Sequence, residues 1–215
     1  MAIYRVRQAS GEGVDLEILY KVGGRGTALL AAALAGQTIR VVGPLGEPFP
    51  DPVERPGARP ILVGGGTGIA SLFLLAERAV ACAASPADVT VVLGAQTEVD
   101  LLGCDDFEGL GLTLHCVTED GSRGQRGRVT DVLAELLGLE GAVVFACGPT
   151  AMMQRCSEIA DRHSVRCVVS LENTMACGFG VCLGCAAPVG ESGYALVCCQ
   201  GPVFEATGVR WSEMP

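Results

Sequence analysis

No apolar run in this chain reaches the ~18 residues that a membrane-spanning helix needs, although 49% of its 215 residues are hydrophobic and its mean hydropathy is +0.41. The longest such tract, residues 28–35, is a short Ala/Leu stretch that Gly36 ends. Positive charge is scarce. Fifteen Lys and Arg against 24 Asp and Glu leave a net charge of −9, which argues against nucleic acid as a partner. There are only two histidines, His115 and His163, and neither falls in a catalytic setting. No Ser/His/Asp or Cys/His constellation is present, so the chain carries no acid–base apparatus of its own. The opening Met1-Ala-Ile-Tyr-Arg5 lacks a basic stretch leading into an apolar run, so a secretory leader is not expected and a reducing, cytoplasmic compartment is. Internal repeats and low-complexity segments are also missing.

Cysteine is the residue present in excess, with 11 in all. Near the C-terminus the chain reads Cys177-Gly-Phe-Gly-Val-Cys182-Leu-Gly-Cys185, and after twelve residues Cys198-Cys199. A C-x4-C-x2-C run with a further Cys downstream is the ligand spacing of a plant-type [2Fe–2S] cluster. Gly178, Gly180 and Gly184 allow the backbone to fold tightly around such a cluster and to aim N–H groups at its sulfurs. A structural zinc site usually needs a second C-x2-C knuckle or Cys/His pairs, and here there is one knuckle. The remaining cysteines, Cys82, Cys104, Cys116, Cys147, Cys156, Cys167 and one of Cys198 and Cys199, fall mostly in apolar segments and read as buried free thiols. The cluster ligands expected from spacing are Cys177, Cys182, Cys185 and the Cys198/Cys199 pair.

Residues 16–22 alternate like a strand. A glycine-rich turn, a short helix over 27–34, a second strand over 38–42 and a turn at Gly43-Pro-Leu-Gly46 follow. Residues 51–57 read as a linker. From residue 59 onward strands alternate with helices: strands over 60–63, 89–93, 112–117, 143–146 and 166–170, and helices over 69–81, 129–137 and 150–163. This alternation predicts an α/β fold whose core is a doubly wound parallel-sheet nucleotide-binding domain. The expected division is a β domain over 1–55, the nucleotide-binding domain over 56–171 and a small cluster domain over 172–215.

Gly64-Gly65-Gly66-Thr67-Gly68 follows a predicted strand and opens a helix. There a pyrophosphate meets free N–H groups at the positive end of the helix dipole; a tight structural turn is the alternative. Cys147-Gly148-Pro149 ends another predicted strand at the edge where open parallel sheets bind ligands; a buried thiol is the alternative. No Arg cluster follows the 89–93 strand, which favours NAD over NADP.

Together these residues resemble the ferredoxin-reductase superfamily. Within it they resemble the family of electron-transfer subunits of dihydroorotate dehydrogenase B, over nearly the whole chain. Leu19-Tyr-Lys-Val-Gly-Gly-Arg-Gly-Thr27 resembles the family's flavin-pyrophosphate segment, Gly43-Pro-Leu-Gly46 the end of its flavin domain, and residues 64–68 and 147–149 its NAD loops. Asp120-Gly-Ser122 and Gly127-Arg-Val-Thr-Asp131 also match. The most specific match is Ser170-Leu-Glu-Asn-Thr-Met-Ala-Cys177 through Cys185, then Val197-Cys198 and Gly201-Pro-Val-Phe204. Ser71 departs from the family's Pro after the glycine loop.

The resemblance implies FAD at Tyr20, Lys21, Gly26 and Thr27, NAD at residues 64–68 and 147–149, and Cys198 as the fourth cluster ligand. It also implies an FMN-containing dihydroorotate-oxidising partner, in a heterotetramer of the UMP pathway. Alternatives are the related subunit of a flavin-based ferredoxin:NADP or sulfide oxidoreductase, or a non-catalytic iron–sulfur redox sensor. Only the tail of the family's Arg-Pro-x-Ser flavin motif matches Met1-Ala-Ile-Tyr4. The expectation is therefore a partial β-barrel with roughly the first half of the flavin domain missing, and weak FAD binding.

Overall fold

A computed structural model describes residues 1–9, 11–54, 57–138 and 140–214. It opens with an antiparallel hairpin, β1 (Ala2–Gln8) and β2 (Val14–Leu19), and a short helix, α1 (Arg25–Ala31). Then come β3 (Arg59–Gly65), α2 (Ile69–Cys82), β4 (Thr90–Ala95), α3 (Cys104–Glu108), β5 (Thr113–Thr118), β6 (Gln125–Arg126), α4 (Val129–Leu136), β7 (Ala142–Cys147), α5 (Thr150–Arg162) and β8 (Arg166–Ser170). The C-terminal part adds β9 (Ala186–Pro188), β10 (Tyr194–Leu196) and β11 (Val203–Glu205).

One seven-stranded sheet organises the molecule, in the order β11-β8-β7-β3-β4-β5-β6. All its pairings are parallel except β11 with β8. Strands β3 and β4 are almost uninterrupted apolar runs because both faces are covered. Helix α2 packs on one face through Ile69, Leu72, Phe73 and Ala76, which recur at three- and four-residue spacing. On the other face lie α4 and α5. The chain leaves β3 in one direction through β4 and β5 and returns on the other side through β7, so the topological switch falls between β3 and β7. In open parallel sheets that is where ligands bind, beyond the carboxyl ends of the strands.

The expected nucleotide-binding strands and helices are present, shifted by one or two residues at their ends. The N-terminal region differs more. The strand expected over 38–42 does not form, and residues 20–46 contain no buried residue. A strand needs a neighbour to take its N–H and C=O groups, and among the described residues none lies beside this segment. Helix α1 starts two residues earlier than expected, because Thr27 Oγ1 accepts from the backbone N–H groups of Gly23 and Gly24 at 3.0 and 3.2 Å. Residues 2–8, unassigned from sequence, form β1. Tyr4 there is buried against Phe73, donates to Asp106 at 2.8 Å, and precedes Arg5, which pairs with Asp106 and lies over the Phe73 ring.

The chain after residue 171 is built into the same body. Strand β11 extends the sheet edge, and Cys185, Ala187, Val197 and Ala206 share an apolar core with Val169 and Leu171. A run of 44–50 also docks there: Glu47 N–H donates to the Gly201 carbonyl at 2.6 Å. Among the described residues no helix is long and apolar enough to cross a membrane.

Candidate functional site

Four strand ends meet in one row across the sheet. Gly64 is the register partner of Cys147, Cys147 of Ser170, and Ser170 of Val203. The row joins the glycine loop, the Cys-Gly-Pro turn, the exit into the cysteine segment and the return from it. Parallel pairing forces this, because β3, β7 and β8 all present their carboxyl ends to the same edge. The antiparallel β11 then begins there.

The glycines of the first loop have separate tasks. Gly66 has φ +53°, and a Cβ on it would meet nothing within 4 Å. Gly68 is the opposite case, since its Cβ would overlap the Cys147 carbonyl and crowd Gly148 N at 2.6 Å. Gly65 faces Met152 Sδ, which a Cβ would approach to 2.6 Å. So Gly65 and Gly68 let the two turns cross closely, and Gly66 leaves the crossing open. Thr67 lies between them in a single 3₁₀ turn that leads into α2. The first turn of α2 carries no acidic residue, so nothing there opposes an anion at its N-terminus.

Cys147 is fully buried, so its thiol faces the core and its backbone faces the crossing. Burial pushes the thiol up to about 11; the hydroxyls of Ser71 and Ser170 oppose that shift and the charge of Glu172 adds to it. It is neutral at physiological pH and is no thiolate nucleophile. Ser71, Ser170 and Glu172 entered the sequence reading only through the family resemblance, with no link to Cys147. Only their convergence on Cys147 marks them, and no local pattern records it. Gly148, at φ +159°, lets its backbone approach Gly65, whose carbonyl would lie 3.0 Å from a Cβ there; Pro149 precedes α5.

In the cysteine segment Cys177 is flanked by backbone N–H groups of Cys182, Phe179 and Val181 and by the Cys182 side chain, which hold its thiol down to about 6. Gly178, Gly180 and Leu183 take positive φ, and this curls the loop so that its N–H groups converge. Gly180 is needed for space as well: a Cβ would lie 2.9 Å from Cys199 Sγ. Cys185 and Cys198 are buried with their sulfurs 3.2 Å apart, and Cys199 Sγ lies 3.5 Å from Cys198 Sγ. Among the described residues no three His, Cys, Asp or Glu side chains are gathered tightly enough to hold a metal ion as they stand. The thiols are found in two close pairs, Cys177 with Cys182 and Cys185 with Cys198. A cysteine-rich donor set beside a nest of N–H groups fits an iron–sulfur cluster.

Tyr20 and Lys21 follow β2, Gly26 and Thr27 lie in the first turn of α1, and none of the four is buried. The hairpin beside them exposes Val14, Leu16 and Ile18, and among the described residues it pairs with no third strand. A flavin ring needs an apolar wall, which these residues alone do not supply. FAD bound to this chain after gel filtration is therefore expected at well under one per chain by flavin absorbance. A stoichiometric amount would show that the hairpin suffices.

Two family models match. One describes the iron–sulfur cluster binding domain of dihydroorotate dehydrogenase B, over residues 172–210, and the other an oxidoreductase NAD-binding domain, over 62–158. Similar curated proteins carry the name dihydroorotate dehydrogenase B (NAD(+)), electron transfer subunit. The one from Bacillus caldolyticus is 43% identical over 88% of this chain and 72% of its own length. That from Caldanaerobacter subterraneus is 41% identical over 92% of this chain and 76% of its own length. Among solved structures, an NADH-dependent reduced ferredoxin-NADP oxidoreductase matches with a TM-score of 0.79 and 34% identity, over 94% of this chain and 71% of that one.

Proposed function

Because this chain belongs to the family of dihydroorotate dehydrogenase B electron-transfer subunits, we propose that it relays electrons from a dihydroorotate-oxidising partner to NAD+ in pyrimidine biosynthesis. The partner is an FMN-containing catalytic subunit, the assembly a heterotetramer and the compartment the cytoplasm. When bound, the [2Fe–2S] cluster supplies one-electron transfer, FAD the exchange between single electrons and pairs, and NAD+ the hydride acceptor. The observation that carries this reading is the row Gly64–Cys147–Ser170–Val203, which gathers the nucleotide loops and both ends of the cysteine segment at one sheet edge.

The chain's own residues divide the work. Cys177, Cys182, Cys185 and Cys198 hold the cluster as thiolates, and the N–H groups around Cys177 stabilise negative sulfur. The backbone of Gly64, Gly65, Gly66, Thr67 and Gly68 binds the NAD pyrophosphate at the start of α2. The Cys147 backbone, with Gly148 and Pro149, forms the floor near the nicotinamide. Tyr20, Lys21, Gly26 and Thr27 contact FAD. Both histidines lie away from this edge, His115 within β5 and His163 at the C-terminal end of α5. Taking a proton from dihydroorotate falls to the partner. The three-part division at about residues 55 and 171 is part of the same proposal.

The test is anaerobic purification with a visible spectrum and iron, sulfide, zinc and flavin analysis. NADH formation is then measured with dihydroorotate, the partner subunit and excess FAD added. Iron and sulfide at about two each per chain, with NAD+ reduction that requires the partner, is the expected result. Stoichiometric zinc without sulfide would overturn it. The likeness to the ferredoxin-NADP oxidoreductase favours a second reading, in which ferredoxin and NADP take the place of dihydroorotate and NAD. Turnover with those alone would select it.

A further inference from the structure

Two cysteines that the relay does not use are brought together on the other side of the sheet. Cys104 opens α3 and Cys116 lies within β5, and their sulfurs are 3.1 Å apart. That is about 1 Å beyond the S–S bond length of about 2.05 Å. The two thiols are unlike. Cys104 is 2% exposed, whereas Cys116 is half-buried. The contact between the two thiols eases loss of one proton from the pair, and the Arg123 guanidinium adds to this against burial and the charges of Glu108 and Asp105. The same contact and burial push Cys104 up. Arg123 is kept in place by ion pairs to Asp105 at 3.1 Å and Glu108 at 3.6 Å. A more exposed thiol in contact with a buried one, with a guanidinium beside both, is the arrangement of an attacking and a resolving cysteine.

We propose that Cys104 and Cys116 form a dithiol–disulfide site that reacts with low-molecular-weight disulfides. The Cys116 thiolate attacks one sulfur of the small disulfide, forms a mixed disulfide and releases one small thiolate. Cys104 then loses its proton and attacks the Cys116 sulfur, which forms the Cys104–Cys116 bond and releases the second small thiolate. Two protein thiols are oxidised, and one small disulfide is reduced to two thiols. The bond ties α3 to β5 at a junction: α3 also holds Tyr4 and Arg5 of the hairpin through Asp106, and Arg123 of the loop after β5 through Asp105.

The experiment treats the holoprotein with oxidised glutathione, quenches it with acid and digests it without reductant. Cleavage after Glu98, Glu108 and Glu119 separates residues 99–108, with Cys104, from 109–119, with Cys116. The expected product is a cross-linked pair of these two peptides that dithiothreitol separates. In Cys104→Ala the glutathione should remain on Cys116, and in Cys116→Ala Cys104 should stay unmodified. The wild-type map decides the matter even if a variant fails to fold. Free thiols at both positions, or glutathione retained on Cys116 beside a free Cys104, would overturn the proposal.

Discussion

Replacing Cys198 with serine is expected to abolish or strongly shift the visible cluster spectrum and to drop partner-dependent NAD+ reduction to background, whereas Cys199→Ser leaves both largely intact. The two residues are adjacent, so composition and local charge are nearly the same in the two variants, and only the position of the sulfur differs. Cys198 Sγ is buried against Cys185 Sγ at 3.2 Å. Cys199 Sγ lies beside Gly180 and 3.5 Å from Cys198 Sγ. A serine hydroxyl is a much poorer iron ligand than a thiolate, because soft sulfur suits the cluster irons. The absorption and electron paramagnetic resonance spectra of the reduced protein give the answer directly. Loss of the cluster in Cys199→Ser, with retention in Cys198→Ser, would move the fourth ligand by one residue.

The second large effect separates two glycines of the nucleotide loop. Gly66→Asn is expected to weaken NADH binding by about tenfold or more, equivalent to about 1.4 kcal/mol, with little change in melting temperature. Gly66 has φ +53° and open space before it, and Asn tolerates the left-handed region better than other side chains do. The backbone is thus kept while a side chain enters the space assigned to the pyrophosphate. Gly68→Ala should act through the fold instead. Its methyl group would overlap the Cys147 carbonyl, and relieving such overpacking costs about 1–3 kcal/mol, lowering the melting temperature. Titration calorimetry with NADH and thermal unfolding of both variants distinguish the two roles. Unchanged NADH affinity in a folded Gly66→Asn protein would refute the placement.

The cysteine run could be read without a fold because three of its four proposed ligands lie within nine residues, and Gly178, Gly180 and Gly184 stand between them. A chelating loop is a local object. The alternation of apolar strands and amphipathic helices from residue 59 was equally local, and it implied a parallel sheet because consecutive strands separated by helices must run the same way. Short-range pattern was insufficient where pairing partners are distant. Residues 38–42 have the composition of a strand but no neighbour, and the exposed 20–46 segment shows that propensity without pairing does not make one. Residues 203–205 carried no strand signal in sequence and still close the edge of the main sheet, through pairing with residues 168–170. Gly66 and Gly68 are indistinguishable as letters, and their different tasks appear only when the Cys147 turn is brought across them. The same holds for Cys104 and Cys116, which look like two ordinary buried thiols until α3 is laid against β5. Spacing along the chain specified what could be chelated and which segments alternate; close approach between distant backbones, which no local term encodes, set the register row, the crossing of the two loops and the thiol pair.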